Sequence, residues 1–371
     1  MSRILITAAG AIVFAAGATN AQTVQALSSL GGEGSIAWAI NNNGVIVGES
    51  LLGDNATVRA TRWGAGLSPE NLGVAAGATH SFAYGINDAG SIVGASELAS
   101  GMNNATVWWA NTLGVVTNLG AEMNASGPSV AWAISNTNVI AGQAALNPGF
   151  SKGFVWDATY GGRHAGLAGM YQGGAYYGVN DAGVVVGSGF FFGDPDDALI
   201  ARPNGDGTYG DSDIAPPGYN LSIARDINNH DMVVGFTNAG MPGPWQAAIF
   251  EGRGAVTLLG TLEGLENSEA YSVNDNGLIV GSAWDDDFQQ DSAAWAWLNG
   301  TMYDLNDFLG AGSDFTRLLS ANGVNNNGDI VGVGVLSDGT ISGFVLHGFV
   351  PAPGTVGLLG MGLAAAARRR R

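Results

Sequence analysis

The segment Ala37-Trp38-Ala39-Ile40-Asn41-Asn42-Asn43-Gly44-Val45-Ile46-Val47-Gly48 returns along the chain in altered form, and no other feature constrains the fold as much. Aligned on the Ile/Val-Asn step, the copies stand at Ile40, Ile86, Ile134, Val179, Ile227, Val273 and Val324, at intervals of 46, 48, 45, 48, 46 and 51 residues. A repeat of this period is one supersecondary unit that buries its apolar face only against its neighbours. The fold therefore follows from a single unit.

The unit opens on a strand: Ile36, Trp38 and Ile40 share one face, and Ala37 and Ala39 share the other. The Trp38 column reads Trp38, Tyr84, Trp132, Tyr177, Arg225, Tyr271 and Asn322, while the Ala37 column is Ala in every copy but the fourth, where Tyr176 stands. A bulky face backed by a small one suits stacked sheets, so the aromatic column is expected to pack over Ala of the next unit. Asn41-Asn42-Asn43-Gly44 then reads as a type I turn with a left-handed fourth residue, joining two antiparallel strands. That fourth column holds Gly44, Gly90, Asn138, Gly183, Asp231, Gly277 and Gly328, and Asn and Asp are the residues after Gly that best tolerate positive φ. Turn chemistry accounts for the repeated Asn and Gly. A further column, Gly48, Gly94, Gly142, Gly187, Gly235, Gly281 and Gly332, never varies, which in a strand implies a bulge or a close backbone approach.

A third segment carries bulk after Ala or Gly, as in Ala60-Thr61-Arg62-Trp63 and Gly343-Phe344-Val345-Leu346, and a fourth ends in Leu-Gly, as in Asn71-Leu72-Gly73. Four short strands fill a unit of this length. The seventh copy lacks its Leu-Gly strand, and an equivalent stretch, Thr23 to Gly32, precedes the first copy. An N-terminal strand completing the last unit closes a ring and removes two exposed edges. The expected fold is all-β, a seven-bladed β-propeller of four-stranded antiparallel blades. A helical solenoid is disfavoured by 60 Gly and by period-two patterning.

The pattern Ala-x-x-Ile-Asn-x-x-Gly-x-Ile-Val-Gly, followed by an Ala-x-x-Trp strand and a Leu-Gly segment, resembles the HAF family of probable extracellular repeats. Thr61-Arg62-Trp63, Gly153-Phe154-Val155 and Ala247-Ala248-Ile249 stand in place of the family's His-Ala-Phe core. The resemblance implies an exported repeat protein and brings no catalytic residues with it.

The ends give an address. Residues 1–21 place Arg3 before the apolar run Ile4 to Ala18 and end in Thr19-Asn20-Ala21, the layout of a secretory signal peptide. Residues 22–349 are then the propeller. Residues 350–371 contain Pro351-Ala352-Pro353, an apolar stretch too short to span a bilayer comfortably, and four terminal Arg. This tail resembles a PEP-CTERM sorting signal, with Ala352 where the usual motif has Glu. The resemblance implies export machinery and a sorting enzyme as partners, transient membrane association through the tail, and delivery to the outer surface or extracellular matrix of a Gram-negative-type cell.

Between the two signals lie eight basic and 31 acidic residues, a net charge of −23, which disfavours nucleic acid and anionic lipid as partners. Cations and neutral polysaccharides remain open. There is no Cys, hence neither disulfides nor thiolate chemistry. His80, His164, His230 and His347 fall at unlike points of the repeat, without zinc-ligand spacing.

Three acidic clusters are candidates for Ca²⁺: Asp194, Asp196 and Asp197; Asp285, Asp286, Asp287 and Asp291; and Asp206 to Asp213. None has EF-hand spacing, and solvated acidic loops are the commoner outcome for such clusters. In blade five Arg225 and Asp226 break the inner strand; either they form a local ion pair or lie on an exposed strand face of a poorly packed blade, the simpler reading, or they line the channel and touch a ligand. An exported binding or structural module, for glycan or cation, is the expected function. The alternative is a polysaccharide lyase or glycosidase, which an aromatic-lined axial pocket with two carboxylates would favour.

Overall fold

A computed structural model describes residues 23–351 apart from 112–113, 146–149, 166–171, 191–195, 239–242, 253 and 286–291. The signal segment 1–21 and nearly all of the 350–371 tail lie outside the described residues.

Seven four-stranded antiparallel sheets follow one another along the chain. In blade one the strands β2 (Gly31–Ile40), β3 (Ile46–Leu52), β4 (Val58–Trp63) and β5 (Pro69–Asn71) lie side by side in sequence order. The core sits between blades. Ala37, Ile46 and Trp63 of blade one pack with Val331 and Val345 of blade seven and with Leu27, and Val47 and Ala60 pack with Ala83, Ile92 and Trp108 of blade two.

The hairpin forms as its residue types require. Gly44 has φ +74° and donates its N–H to the Asn41 carbonyl at 3.0 Å; where Gly is absent, Asn138 and Asp231 take φ +60° and +61°. The Asn41 side chain closes the turn by accepting from the Asn43 and Val45 N–H groups at 3.1 and 2.9 Å.

Every inner strand carries a bulge at the same place. Ala37 pairs with Gly48 and Ala39 with Val47, so Trp38 is the extra residue. Tyr84, Trp132, Tyr177, Arg225, Tyr271 and Asn322 are extra in the other six blades. A bulge tightens the local twist and brings the two backbones together. This explains the invariant glycine: a Cβ on Gly48 would collide with the Ile36 carbonyl oxygen, and one on Gly94 with that of Phe82.

The bulge also corrects the expectation for the aromatic column. Its members do not sit over Ala of the next blade. The bulge turns them off the sheet face to the inner edge, where they line the central channel, half-buried, while Ala37 and Ala83 fill the inter-blade core.

Blade seven is closed by β1 (Val24–Ala26), which pairs with Ile341–Leu346 in the register Val24↔Leu346, Gln25↔Val345 and Ala26↔Phe344. The junction repeats the chemistry of the others. Between blades one and two, Ser81 Oγ accepts from Ala60 N–H at 3.0 Å and donates to the Gly73 carbonyl at 2.8 Å. At the closure, Ser35 Oγ accepts from Gly343 N–H at 3.0 Å and donates to the Leu27 carbonyl at 2.8 Å. The N-terminal segment thus occupies the place that a Leu-Gly strand fills elsewhere.

Because Gly94 faces backbone rather than a flexible side chain, Gly94→Ala is expected to lower unfolding free energy by about 3 kcal/mol or more. Ala95→Gly, one residue along the same strand, lacks that collision and separates the close-approach effect from a general loss of strand propensity. Denaturant unfolding of the two variants checks the difference.

Candidate functional site

The channel is built in three tiers by successive residues of the inner strands. At the wide end the bulged residues Trp38, Tyr84, Trp132, Tyr177, Arg225, Tyr271 and Asn322 surround a cavity of ≈ 520 Å³. The aliphatic column Ile40, Ile86, Ile134, Val179, Ile227, Val273 and Val324 forms a collar below them. Asn and Asp of the hairpin turns make the narrow mouth.

The narrow mouth is a closed hydrogen-bonded ring. Asn42 N–H donates to Asp88 Oδ1 at 2.8 Å, Asp88 N–H to Asn136, Asn136 to Asp181, Asp181 to Asn229, Asn229 to Asp275, Asp275 to Asn326, and Asn326 back to Asn42 at 2.8 Å. Side chains of the preceding column reach across in parallel, as Asn41 Nδ2 does to the Asn87 carbonyl at 2.9 Å and Asn325 Nδ2 to the Asn41 carbonyl at 3.0 Å. The polar groups here are already spent on one another. This end holds the ring together.

The wide end is different. Four aromatic rings follow each other around the wall: Trp38 to Tyr84 at 6.0 Å between centroids, Tyr84 to Trp132 at 4.7 Å and Trp132 to Tyr177 at 6.0 Å. The Arg225 guanidinium continues the arc, 5.1 Å over the Tyr177 ring, and contacts Glu269 at 3.4 Å. Tyr271 and Asn322 complete the circle. Two buried donors in this wall, Arg225 Nε and Trp132 Nε1, have no hydrogen-bond partner among the described residues. Such groups are costly unless satisfied.

One carboxyl, Glu269, lines the wall, and a second, Glu49, holds a wall residue from behind. Glu49 accepts from Trp38 Nε1 at 3.3 Å, and Glu269 bonds Arg225 and the Tyr271 hydroxyl. Burial pushes both upward from the usual carboxylate range; the Trp38 contact opposes it at Glu49 and the Arg225 charge at Glu269. The sequence reasoning missed both. The signal that could have exposed the site lay in its own column, since a buried core column does not take Arg and Asn in two of seven places.

Arg225 and Asp226 part company. Arg225 lines the bowl and pairs with Glu269, not with Asp226. Asp226 joins blades five and six: its Oδ2 accepts from Ser272 Oγ at 2.9 Å and Val273 N–H at 3.0 Å, and its Oδ1 from Ile227 N–H at 2.8 Å. Desolvation nevertheless raises its pKa to about 6.

Of the Ca²⁺ candidates, Asp194, Asp286, Asp287 and Asp291 lie outside the described residues. Asp196 and Asp197 lie at the entry to the third strand of blade four, and Asp285 follows Trp284 in blade six. In the third cluster Asp206 accepts from Thr208 N–H at 2.9 Å and Asp213 from Ala215 N–H at 2.8 Å, while Asp211 accepts from the Tyr176 hydroxyl at 3.4 Å. Among the described residues no group of three His, Asp or Glu is placed to hold an ion.

Comparison with known proteins bears out the sorting motif of the tail. Residues 349–371 match the PEP-CTERM protein-sorting motif, which marks an exported protein. Curated proteins give no match. Among solved structures, TolB from Acinetobacter baumannii is similar with a TM-score of 0.43 and 11% identity over 85% of this chain and 64% of that one. A Trypanosoma rangeli sialidase in complex with 2,3-difluorosialic acid gives 0.42 and 10% identity over 91% of this chain and 56% of that one. This chain thus spans less than two thirds of either.

The Asp226 carboxyl makes a prediction with a definite sign. Its folded pKa, about 6, exceeds the unfolded value of 3.8, so its contribution is fully present below pH ~4 and is lost as pH rises through 6, by roughly 3 kcal/mol. Asp226→Ala removes that dependence along with three hydrogen bonds. The variant's deficit in unfolding free energy, measured in urea, should therefore be larger at pH 4 than at pH 7.

Proposed function

We propose that the protein is an exported glycan-binding module that holds a sugar in the aromatic bowl at the wide end of its channel. One observation carries the reading: a bulge in every inner strand aims its extra residue at the axis, and five of those seven residues are aromatic. Bulges commonly re-aim side chains at functional sites. A concave, mostly aromatic cavity of ≈ 520 Å³ with a few polar groups lies in the size range of small-ligand sites. Flat rings offer faces to the apolar face of a pyranose, while Arg225, Glu269 and Asn322 offer donors and acceptors to its hydroxyls. The net charge of −23 between the two terminal signals argues against a polyanion as the principal ligand.

The repeat is read as HAF-type, and the product as surface- or matrix-associated, released from 1–21 by a signal peptidase and handled at 350–371 by a sorting enzyme. Ca²⁺ in the acidic loops remains part of this proposal.

A second reading, cleavage of the bound glycan by a glycosidase or lyase, is supported by Glu269 in the bowl and by Glu49 behind the Trp38 indole, because burial raises both carboxyls and so favours the protonated form that a general acid needs. The two readings separate in one experiment on the exported protein with a panel of neutral polysaccharides. Binding without new chain ends, weakened about tenfold by Trp132→Ala (~1.4 kcal/mol), is the expected result. New chain ends that vanish in Glu269→Gln would establish the enzyme.

A further inference from the structure

We propose that the ligand is a linear polysaccharide whose chain leaves the axial bowl and runs outward over blades five and six, across Trp245 and Trp284. This rests on the bowl being a glycan site. The observation behind it is a series of side-chain contacts that starts at the bowl. Arg225, in the bowl wall, lies 5.1 Å from the ring of its wall neighbour Tyr177 and 5.5 Å from the Phe236 ring. Phe236 stacks on Trp245 at 4.8 Å and 9°, and Trp245 meets Trp284 of blade six edge-on at 6.0 Å.

Each ring belongs to a different strand, so the line crosses the blades. Arg225 is in the inner strand of blade five, Phe236 in the second, and Trp245 immediately before the third; Trp284 ends the second strand of blade six. Exposure is greatest at Trp245. Phe236 is 1% exposed and forms the floor, whereas Trp245 is 36% exposed with one face resting on that floor.

Trp245 is also held firmly. Its N–H donates to Asn267 Oδ1 at 3.0 Å and its carbonyl accepts from Ser268 N–H at 2.9 Å, so neighbouring blades clamp the backbone beneath the indole. A rigid, exposed indole loses little conformational entropy on binding. Exposed apolar surface contiguous with a site marks an interaction surface.

The shape of this surface selects its occupant. A protein partner needs about 800 Å² a side. A single indole flanked by partly covered rings offers a strip instead. Two indoles in edge contact at 6.0 Å, Trp245 backed by Phe236, beside a bowl with aromatic and polar groups, fit a narrow polymer of sugar rings. The chain end or a bend would occupy the bowl, and successive residues would lie over Trp245 and Trp284.

The test is affinity against chain length, using neutral β-linked glucan, mannan and N-acetylglucosamine oligosaccharides from disaccharide to octasaccharide and the full-length exported protein. Affinity should rise with length. Trp245→Ala should lower octasaccharide affinity about tenfold and leave disaccharide affinity unchanged, Trp245→Tyr should retain most of it, and Trp132→Ala should weaken both. If Trp245→Ala lowers the melting temperature, Trp284→Ala reads the same length dependence at the next ring. Octasaccharide binding untouched by Trp245→Ala and Trp284→Ala but weakened by Trp132→Ala would overturn the outward path and leave the bowl standing. Failure of every oligosaccharide to bind the unaltered protein would overturn both.

Discussion

Where the inner strand of each blade bulges against the glycine opposite it, two backbones come so close that no side chain fits between them, and both the packing and the site depend on that contact. On one side it lets Ala37 and its counterparts sink into the inter-blade core. On the other it releases one residue per blade from the pleat and turns it toward the axis. A strand without the bulge would place Trp38 against a neighbouring sheet and leave the channel wall to smaller groups. One device, repeated seven times, therefore makes a stable ring and a lined cavity together.

Closing the ring is the second requirement, and polar side chains meet it at two radii. Near the axis the Asn42 column passes a hydrogen bond from each blade to the next around the full circle, alternating Asn with Asp so that each carboxylate sits between amides. Farther out, Ser residues at the start of the inner strands tie adjacent blades edge to edge. The N-terminal segment enters this scheme as an ordinary member, with Leu27 almost fully buried and the Trp63 indole donating to the Ser28 carbonyl at 2.8 Å. With the narrow mouth occupied by its own hydrogen bonds, the wide mouth is left open chemically.

The fold was legible in the sequence because its determinants are local. Period, turn residues, the unvarying glycine and the strand displaced to the N-terminus can each be seen without knowing what lies across the blade. The site was less legible. A bulge cannot be distinguished from regular alternation by periodicity alone, so Ile36, Trp38 and Ile40 read as one packed face when they line an axis. Arg225 and Asn322 in that column were the clue. Glu269 falls outside any motif and joins the wall only through the fold, with Glu49 behind it, and the Asn/Asp alternation from Asn42 to Asn326 likewise has its meaning in a ring of hydrogen bonds between residues 45 to 51 apart, closed from Asn326 to Asn42.

The central claim is that ligand engages the bulged residues at the wide end. Hydrogen exchange of the exported protein, with and without a matrix polysaccharide that it retains, tests this directly. The account predicts that added protection falls on the inner strands around Trp38, Tyr84, Trp132, Tyr177 and Arg225 and spares the outer strands and the hairpin turns. Protection confined to the Asn/Asp mouth or to the outer strands would contradict it.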